Sequence, residues 1–291
     1  MRVTLFFEQN IQEQADKLIN SFRSSFWINE HQWFVRCLTF NRSIHLHTLS
    51  KRFHNYFCKH PDSWKSTYPL DNQQDFYDSM TCVYDETFFD KPIPSHIRLP
   101  NIESLHIKLP LNNQFWSIVP NLDLLKSFTV LSHANTFQSQ FQTVLDRARH
   151  LDTLAISQDA LLPLQISLFT YRSTSIHRLD LRNCNYYFNE DECITLSRSP
   201  LCASCEVLCI QVKTRESIII LVKNVMNLRA LNVVCKDDPY YDNLPIIENN
   251  DGLDEKKIPD ENELLSWLKS RLPSYFIVRH PNIIDKILIW I

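Results

Sequence analysis

The sequence has 291 residues, 44% of them hydrophobic and 12% aromatic, and a formal net charge of −3. This composition can supply a buried core, and the charge gives no reason to expect nucleic acid or an anionic membrane as partner, because both favour a basic surface. Gly252 is the single glycine. Phosphate-binding loops, dinucleotide fingerprints and nucleophile elbows need glycine in their usual forms, so most familiar nucleotide-dependent enzymes and α/β-hydrolases are disfavoured.

The nine cysteines are scattered without close pairing, which indicates free thiols in a reducing compartment. The first residues are apolar for only a short run before Glu8, so they do not resemble a signal peptide. No run approaches the ~20 apolar residues of a membrane span. We therefore predict a cytoplasmic or nuclear protein without membrane association.

Residues 1–100 are predicted to form an N-terminal unit of strand, helix and hairpin, followed by a connection. Residues 3–7 are typical of a strand, and 13–22 carry apolar residues at helical spacing. The segments 33–40 and 44–49 flank a turn and favour an antiparallel hairpin. We expect this hairpin to cap the array described next, by giving its first strand a partner. Residues 60–100 are interpreted as a long connection with one helical turn.

One phrase then recurs through residues 101–235: an apolar residue, two free positions, a second apolar residue, one free position and a third. The instances are Ile102-x-x-Leu105-x-Ile107, Leu125-x-x-Phe128-x-Val130, Leu151-x-x-Leu154-x-Ile156, Ile176-x-x-Leu179-x-Leu181, Cys205-x-x-Leu208-x-Ile210 and Leu228-x-x-Leu231-x-Val233. The middle residue advances by about 25 residues each time, which is the period of a leucine-rich repeat. Amphipathic stretches between the phrases are long enough for helices. Their predicted apolar stripes are Phe141, Val144, Leu145 and Ala148 in 137–150, and Ile219, Ile220, Val222 and Val225 in 216–226.

These repeats predict an α/β fold: a leucine-rich-repeat-like solenoid of strand–helix units with a parallel sheet and an N-terminal β-hairpin cap. Stacking is required because one strand and one helix cannot bury the apolar face of either. An ordinary α/β domain with short strands is the alternative. Residues 236–260 are strongly acidic and are interpreted as an exposed loop. In 261–291, Ile284-x-x-Ile287-x-Ile289 repeats the phrase after a short helix and is interpreted as the terminal repeat.

Strand alternation identifies a candidate binding surface. If the apolar members of each phrase point inward, positions three, five and seven point outward and line the concave side of the solenoid. These positions include Val207, Cys209, Ala230 and Val234. The candidate protein-binding residues among them are His106, Lys108, Arg178, Asp180, Arg182, Gln211 and Asn232. A merely solvated face is the alternative.

Other candidates for chemistry are weaker. Cys202 and Cys205 have the spacing that begins many zinc sites, with Cys209 nearby, but no second pair completes four ligands. His45 and His47 share one face of a predicted strand, and no third ligand is evident. A cysteine nucleophile would need a histidine base, and nothing in the spacing selects such a pair. We predict no catalytic residues, no metal and no cofactor.

The phrase pattern resembles the leucine-rich-repeat region of F-box proteins, the substrate receptors of cullin–RING ubiquitin ligases. The resemblance covers residues 102–234 and is clearest in Ile176-His177-Arg178-Leu179-Asp180-Leu181-Arg182-Asn183-Cys184. It implies a non-enzymatic scaffold that binds a protein on its concave face and presents it to a ligase adaptor. The Leu-Pro-x-Glu opening of an F-box is not found. A general interaction scaffold unrelated to ubiquitin, and a cysteine- or metal-dependent enzyme, remain the alternatives.

Overall fold

The computed structural model describes residues 2–49, 61–69, 72–131, 137–157, 169–238, 263–279 and 286–291. The fold is mixed α/β. The strands are β1 (Arg2–Phe6), β2 (Val35–Phe40), β3 (Ser43–Thr48), β4 (Ser63–Ser66), β5 (Cys82–Val83), β6 (Ser104–Lys108), β7 (Ser127–Leu131), β8 (Thr153–Ser157), β9 (Arg178–Asp180), β10 (Val207–Val212), β11 (Ala230–Cys235), β12 (Phe276–Arg279) and β13 (Lys286–Trp290). The helices are α1 (Ile11–Ser21), α2 (Gln73–Asp78), α3 (Asn113–Ile118), α4 (Gln138–Arg147), α5 (Glu190–Ser197), α6 (Arg215–Asn224) and α7 (Glu263–Arg271).

The chain divides into two compact units. The first unit contains Met1–Leu105 and Asn112–Asn121, and the second contains His106–Leu111 and Leu122–Ile291. The strands form a four-stranded sheet, in the order β1-β3-β2-β4, and a mostly parallel nine-stranded sheet, in the order β12-β13-β11-β10-β9-β8-β7-β6-β5. Among the described residues, no helix is long and apolar enough to cross a membrane.

The predicted hairpin is present in the first unit as β2 and β3, joined by a tight turn in which Asn41 has φ 48°. Its strands pair with β1 and β4, and α1 packs on this sheet through a core that includes Ala15, Ile19 and Ile44. The first strand of the predicted array, β6, pairs with β5 and not with a strand of the hairpin. Between 60 and 100, where a long connection was predicted, the short elements β4, α2 and β5 occur.

The repeats of the second unit form parallel strands in register. From β7 to β11 the middle residues of the phrases lie side by side: Phe128, Leu154, Leu179, Leu208 and Leu231. The apolar members of all the repeated phrases from 102 to 233 are buried. A shift of one residue would turn every one of these side chains to the other face, so the burial fixes this register.

Helices α4 and α6 of the second unit form where the sequence predicts them, but the buried face of α6 differs from the predicted one. In α4 the predicted stripe of Phe141, Val144 and Leu145 is buried. In α6 the buried face is Ser217, Ile218, Leu221 and Val222, whereas Ile219 and Ile220, predicted as core, are half-buried. Residues 218–222 are all apolar, so periodicity alone could not choose the buried face. The helix α5 begins with a capping box formed by Asn189 and Glu192.

The C-terminal strands differ from the predicted terminal repeat. Ile287 and Ile289 are buried as expected, but β13 runs antiparallel to β11 and to β12. Only residues 280–285 separate β12 from β13, and a parallel strand needs a crossover of a dozen residues or more. Arg279 of β12 forms a buried ion pair of 2.8 Å with Asp238, which follows β11. Ile284 and residues 239–260 of the predicted acidic loop lie outside the described residues.

Candidate functional site

The side chains opposite the buried ladder define the outward face of the second unit. Directly paired residues of neighbouring strands point to the same face, so the register arranges this face in rows. The first row is Ser127, Thr153, Arg178, Val207, Ala230, Trp290 and Phe276; the second is Thr129, Ala155, Asp180, Cys209, Asn232, Leu288 and Val278. In these two rows the outward face is thus mostly polar on β7 and β8 and charged on β9. It is mostly apolar on β10, β11, β13 and β12, where Asn232 is the polar member.

All of the predicted binding residues lie in the second unit. His106 and Lys108 are on β6, Arg178 and Asp180 on β9, Arg182 in the 3₁₀ turn after β9, Gln211 on β10 and Asn232 on β11. Lys108 is exposed and the others are half-buried. Cys209 and Val234 occupy predicted outward positions but are buried. Their short side chains lie within a row of larger neighbours, so an outward position does not by itself give solvent exposure.

Asp180 and Arg182 are held together. The Arg182 Nε–H donates to Asp180 Oδ1 at 2.9 Å, the Arg182 backbone N–H donates to the same oxygen at 3.2 Å, and a further guanidinium N–H donates to Oδ2. The hydrogen bond with Asp180 raises the pKa of Arg182 above its usual value. The two charges neutralise each other, and this pair therefore contributes little net charge to the outward face.

Arg178 is in a different situation. It lies between Thr153 and Val207 in the first row. Its backbone N–H donates to the Asp152 carbonyl oxygen at 3.0 Å. Among the described residues, no hydrogen bond or ion pair engages its half-buried guanidinium. Arg178 is consequently the cation on the central strand of this face that can bind an acidic group from outside.

The remaining predicted residues do not join Arg178 in one cluster. Three strand spacings, or about 14 Å, separate β6 from β9, which keeps Lys108 apart from Arg178. His106 Nε2 lies 3.2 Å from Thr129 Oγ1, and burial lowers the pKa of this histidine. Asn232 Oδ1 is buried and has no hydrogen-bond donor among the described residues.

The apolar end of the outward face was not predicted from the sequence. Trp290 and Phe276 are paired across β13 and β12 and are 53% and 65% exposed. The alternation around Ile287 and Ile289 already indicated that Trp290 points outward. The position of Trp290 beside Ala230 could not be predicted, because the last phrase was expected to form a parallel strand, whereas β13 pairs antiparallel to β11.

The cysteines of the described ranges do not converge on a metal centre. The thiols of Cys202 and Cys205 share a hydrogen bond that lowers the pKa of Cys205 and raises that of Cys202. Cys209 lies on the outward face of β10, between Asp180 and Asn232. Within the described ranges, no group of three or more His, Cys, Asp or Glu side chains is placed to hold a metal ion. Cys82 is disulfide-bonded, which departs from the expectation of free thiols throughout.

The two candidate histidines of the first unit stack on each other, and one of them contacts hydroxyl groups. His45 and His47 are stacked with their ring centroids 6.4 Å apart. The Nδ1 atom of His45 lies 3.1 Å from Thr4 Oγ1, and its Nε2 atom lies 3.1 Å from Ser43 Oγ. His47 is buried. A metal ligand needs a free nitrogen lone pair, so these hydroxyl contacts compete with metal binding at His45.

A second surface lies on the helices of the second unit. A groove of about 410 Å³ is lined by α6 and α7 together with Glu190 of α5, and the half-buried Ile219, Ile220 and Trp267 form its apolar part. The Cζ atoms of Arg215 and Arg271 each lie 5.6 Å from the centroid of the Trp267 ring. Glutamate and basic side chains both line the groove, so it has no net charge preference.

Comparisons with known proteins add no family assignment. No protein-family model matches this sequence, and no curated protein is significantly similar to it.

Proposed function

We propose that this chain is a non-enzymatic protein-binding scaffold of the cytoplasm or nucleus. In this proposal its strand–helix units are leucine-rich-repeat-like and form a solenoid, and the outward face of the second unit binds the partner. The observation that carries the proposal is the register of β7 to β11, which buries one ladder completely. The same register leaves Arg178 outward and without an ion-pair partner among described residues.

Thiol chemistry offers little support for an enzyme. Burial raises the pKa of Cys37 to about 11 and those of Cys184, Cys193 and Cys235 to about 12. A thiol with such a pKa is protonated at neutral pH and is a poor nucleophile. Cys205 has a lowered pKa, but its side chain is fully buried. Binding through the outward face therefore accounts for the arrangement better than cysteine catalysis.

A specific form of this function is a substrate receptor of a cullin–RING ubiquitin ligase. The support for it is the resemblance of the phrases, above all residues 176–184, to the repeats of F-box proteins. An interaction scaffold unrelated to ubiquitin would use the same outward face. The two functions differ in whether a ligase adaptor binds the chain in addition to the partner.

The test is a tagged pull-down from native cell extract with quantitative mass spectrometry. Three proteins are compared: the wild type, Arg178→Glu, and Arg149→Glu as a matched charge reversal at an exposed residue outside the repeat strands. We expect a set of proteins that is lost with Arg178→Glu and retained with Arg149→Glu. Identical sets from all three would refute the outward face as the binding surface. Recovery of a cullin adaptor would support the ligase receptor, and its consistent absence would favour the general scaffold.

A further inference from the structure

One row of the outward face forms a trough with walls of different chemistry. The row runs Arg178, Val207, Ala230, Trp290 on the adjacent strands β9, β10, β11 and β13. Val207 and Ala230 are short and half-buried, whereas Trp290 is 53% exposed. We call these four residues the trough: Arg178 is one wall, Trp290 the other, and Val207 with Ala230 the floor. Phe276 continues the apolar wall on β12.

The width of the trough matches a helix. Three strand spacings separate Arg178 from Trp290, which is about 14 Å between their backbones. An α-helix with its side chains is about 10–12 Å across. The walls carry two of the longest side chains of the row, and the floor carries two of the shortest. A cylinder of that diameter can therefore rest on Val207 and Ala230 with both walls in contact.

Backbone hydrogen bonding also favours a helix over an extended peptide. The backbone groups of β9, β10, β11 and β13 are used within the sheet, so its face offers side chains only. An extended segment lying on that face would leave its own N–H and C=O groups without backbone partners. A helix satisfies those groups internally and presents an apolar stripe at spacings of three and four residues.

The positive charge of Arg178 predicts a second feature of the segment that binds in the trough. The guanidinium of Arg178 has no described ion-pair partner, whereas Arg182 is already bound to Asp180. A carboxylate on the partner would supply the missing pair, and an Arg–carboxylate contact can form two parallel hydrogen bonds. Tryptophan and arginine are also the residue types that most often dominate binding energy at protein interfaces.

We propose that the trough binds an amphipathic α-helix of a partner protein. The apolar stripe of the helix packs on Val207, Ala230 and Trp290, and an aspartate or glutamate beside that stripe pairs with Arg178. This inference rests on the proposed function, because it names the kind of segment that the outward face would recognise.

The experiment selects displayed peptides of random sequence on the full-length protein. The enriched peptides are sequenced, one is synthesised, and its affinity is measured by calorimetry. The affinity is then measured for Arg178→Glu and Trp290→Ala, with Arg149→Glu and Met226→Ala as matched controls. Met226 is an exposed apolar residue of the second unit that lies outside the trough. Thermal unfolding of each variant verifies that it is folded.

We expect the enriched peptides to share apolar residues at helical spacing with an acidic residue beside them. Trp290→Ala should weaken binding by roughly 30-fold and Arg178→Glu by roughly tenfold or more, whereas the controls should leave it unchanged. Exchanging the acidic residue of the peptide for lysine should restore binding to Arg178→Glu. This charge exchange tests the ion pair without relying on the stability of one variant.

The possible failures separate the two proposals. Enriched peptides with alternating apolar residues that still depend on Arg178 and Trp290 would refute the helix and retain the outward face as a binding surface. If the lysine exchange fails to restore binding, the contact between Arg178 and a carboxylate of the peptide is refuted, and the outward face is again retained as a binding surface. If no recovered peptide depends on Arg178 or Trp290, the trough proposal is wrong, whereas the proposed function is decided separately by the pull-down.

Discussion

Arg178 and Arg182 occupy the first and the last of the three outward positions of one phrase, but their surroundings differ. The sequence predicts both as surface cations because strand alternation treats them alike. Arg182 lies beyond the end of β9, where the chain turns, and this turn brings its side chain back onto Asp180. Alternation can place a residue on a face, but it cannot show whether a neighbour two positions away already binds its charge. For this reason only part of the candidate site could be predicted.

The pairing of Asp180 with Arg182 predicts a measurable coupling. Both side chains are mostly shielded from water, so their hydrogen bonds should exceed the small contribution of a fully exposed pair. A double-mutant cycle with Asp180→Ala, Arg182→Ala and both changes should give a coupling energy of about 1 kcal/mol in chemical unfolding. Additive effects would show that the pair contributes nothing to stability. Charge reversal of Arg182 would break this ion pair as well as change the surface charge, so binding is better tested at Arg178.

The histidine at 106 predicts a pH dependence of stability. Burial lowers its pKa in the folded protein below the ordinary value of 6.5, so the unfolded chain binds the proton more readily. Stability should therefore fall as the pH falls through and below 6.5. His106→Gln should lose less stability than the wild type between pH 7.5 and pH 5, as measured by urea unfolding at each pH. Parallel pH profiles for the two proteins would contradict this assignment.

At the scale of elements, the strands of the repeats were predictable and the short elements were not. Each phrase from 102 to 233 contains its own apolar alternation, and the structure places β6 to β11 on these phrases. By contrast, β4 has the sequence Ser-Trp-Lys-Ser and is a strand because it pairs with β2. The two-residue β5 likewise depends on β6. Such elements are created by tertiary contacts, which local sequence patterns do not contain.

The in-register ladder predicts a large cost for a change in its centre. Leu179 is fully buried between Leu154 and Leu208. Leu179→Ala should lower the free energy of unfolding by about 2–5 kcal/mol, because the lost contacts leave a cavity. Ser127→Ala, at a half-buried outward position of β7, should change it by no more than about 0.5 kcal/mol. Equal effects of the two changes in chemical unfolding would mean that the faces of the sheet have been assigned incorrectly.

At the scale of the whole molecule, the thiols report on global unfolding. Seven described cysteines are free and buried, in both compact units. A thiol with a pKa of about 11, such as Cys37, is ionised in about one molecule in a thousand at pH 8. We expect these seven to react with an alkylating reagent only as fast as the protein unfolds, and rapidly in denaturant. Mass spectrometry of the labelled peptides measures each site, and fast native labelling of several would contradict the buried core.

The reversal of strand direction at β13 has a consequence for how this protein can change its length. The parallel strands β7 to β11 share one register, so a duplicated segment of about 25 residues inserted among them would meet a matching strand on each side. A copy added after β11 would instead have to displace β13, which already pairs with β11 in the opposite direction. In the proposed solenoid, gain or loss of units by recombination is therefore expected within the parallel region and not beside β13.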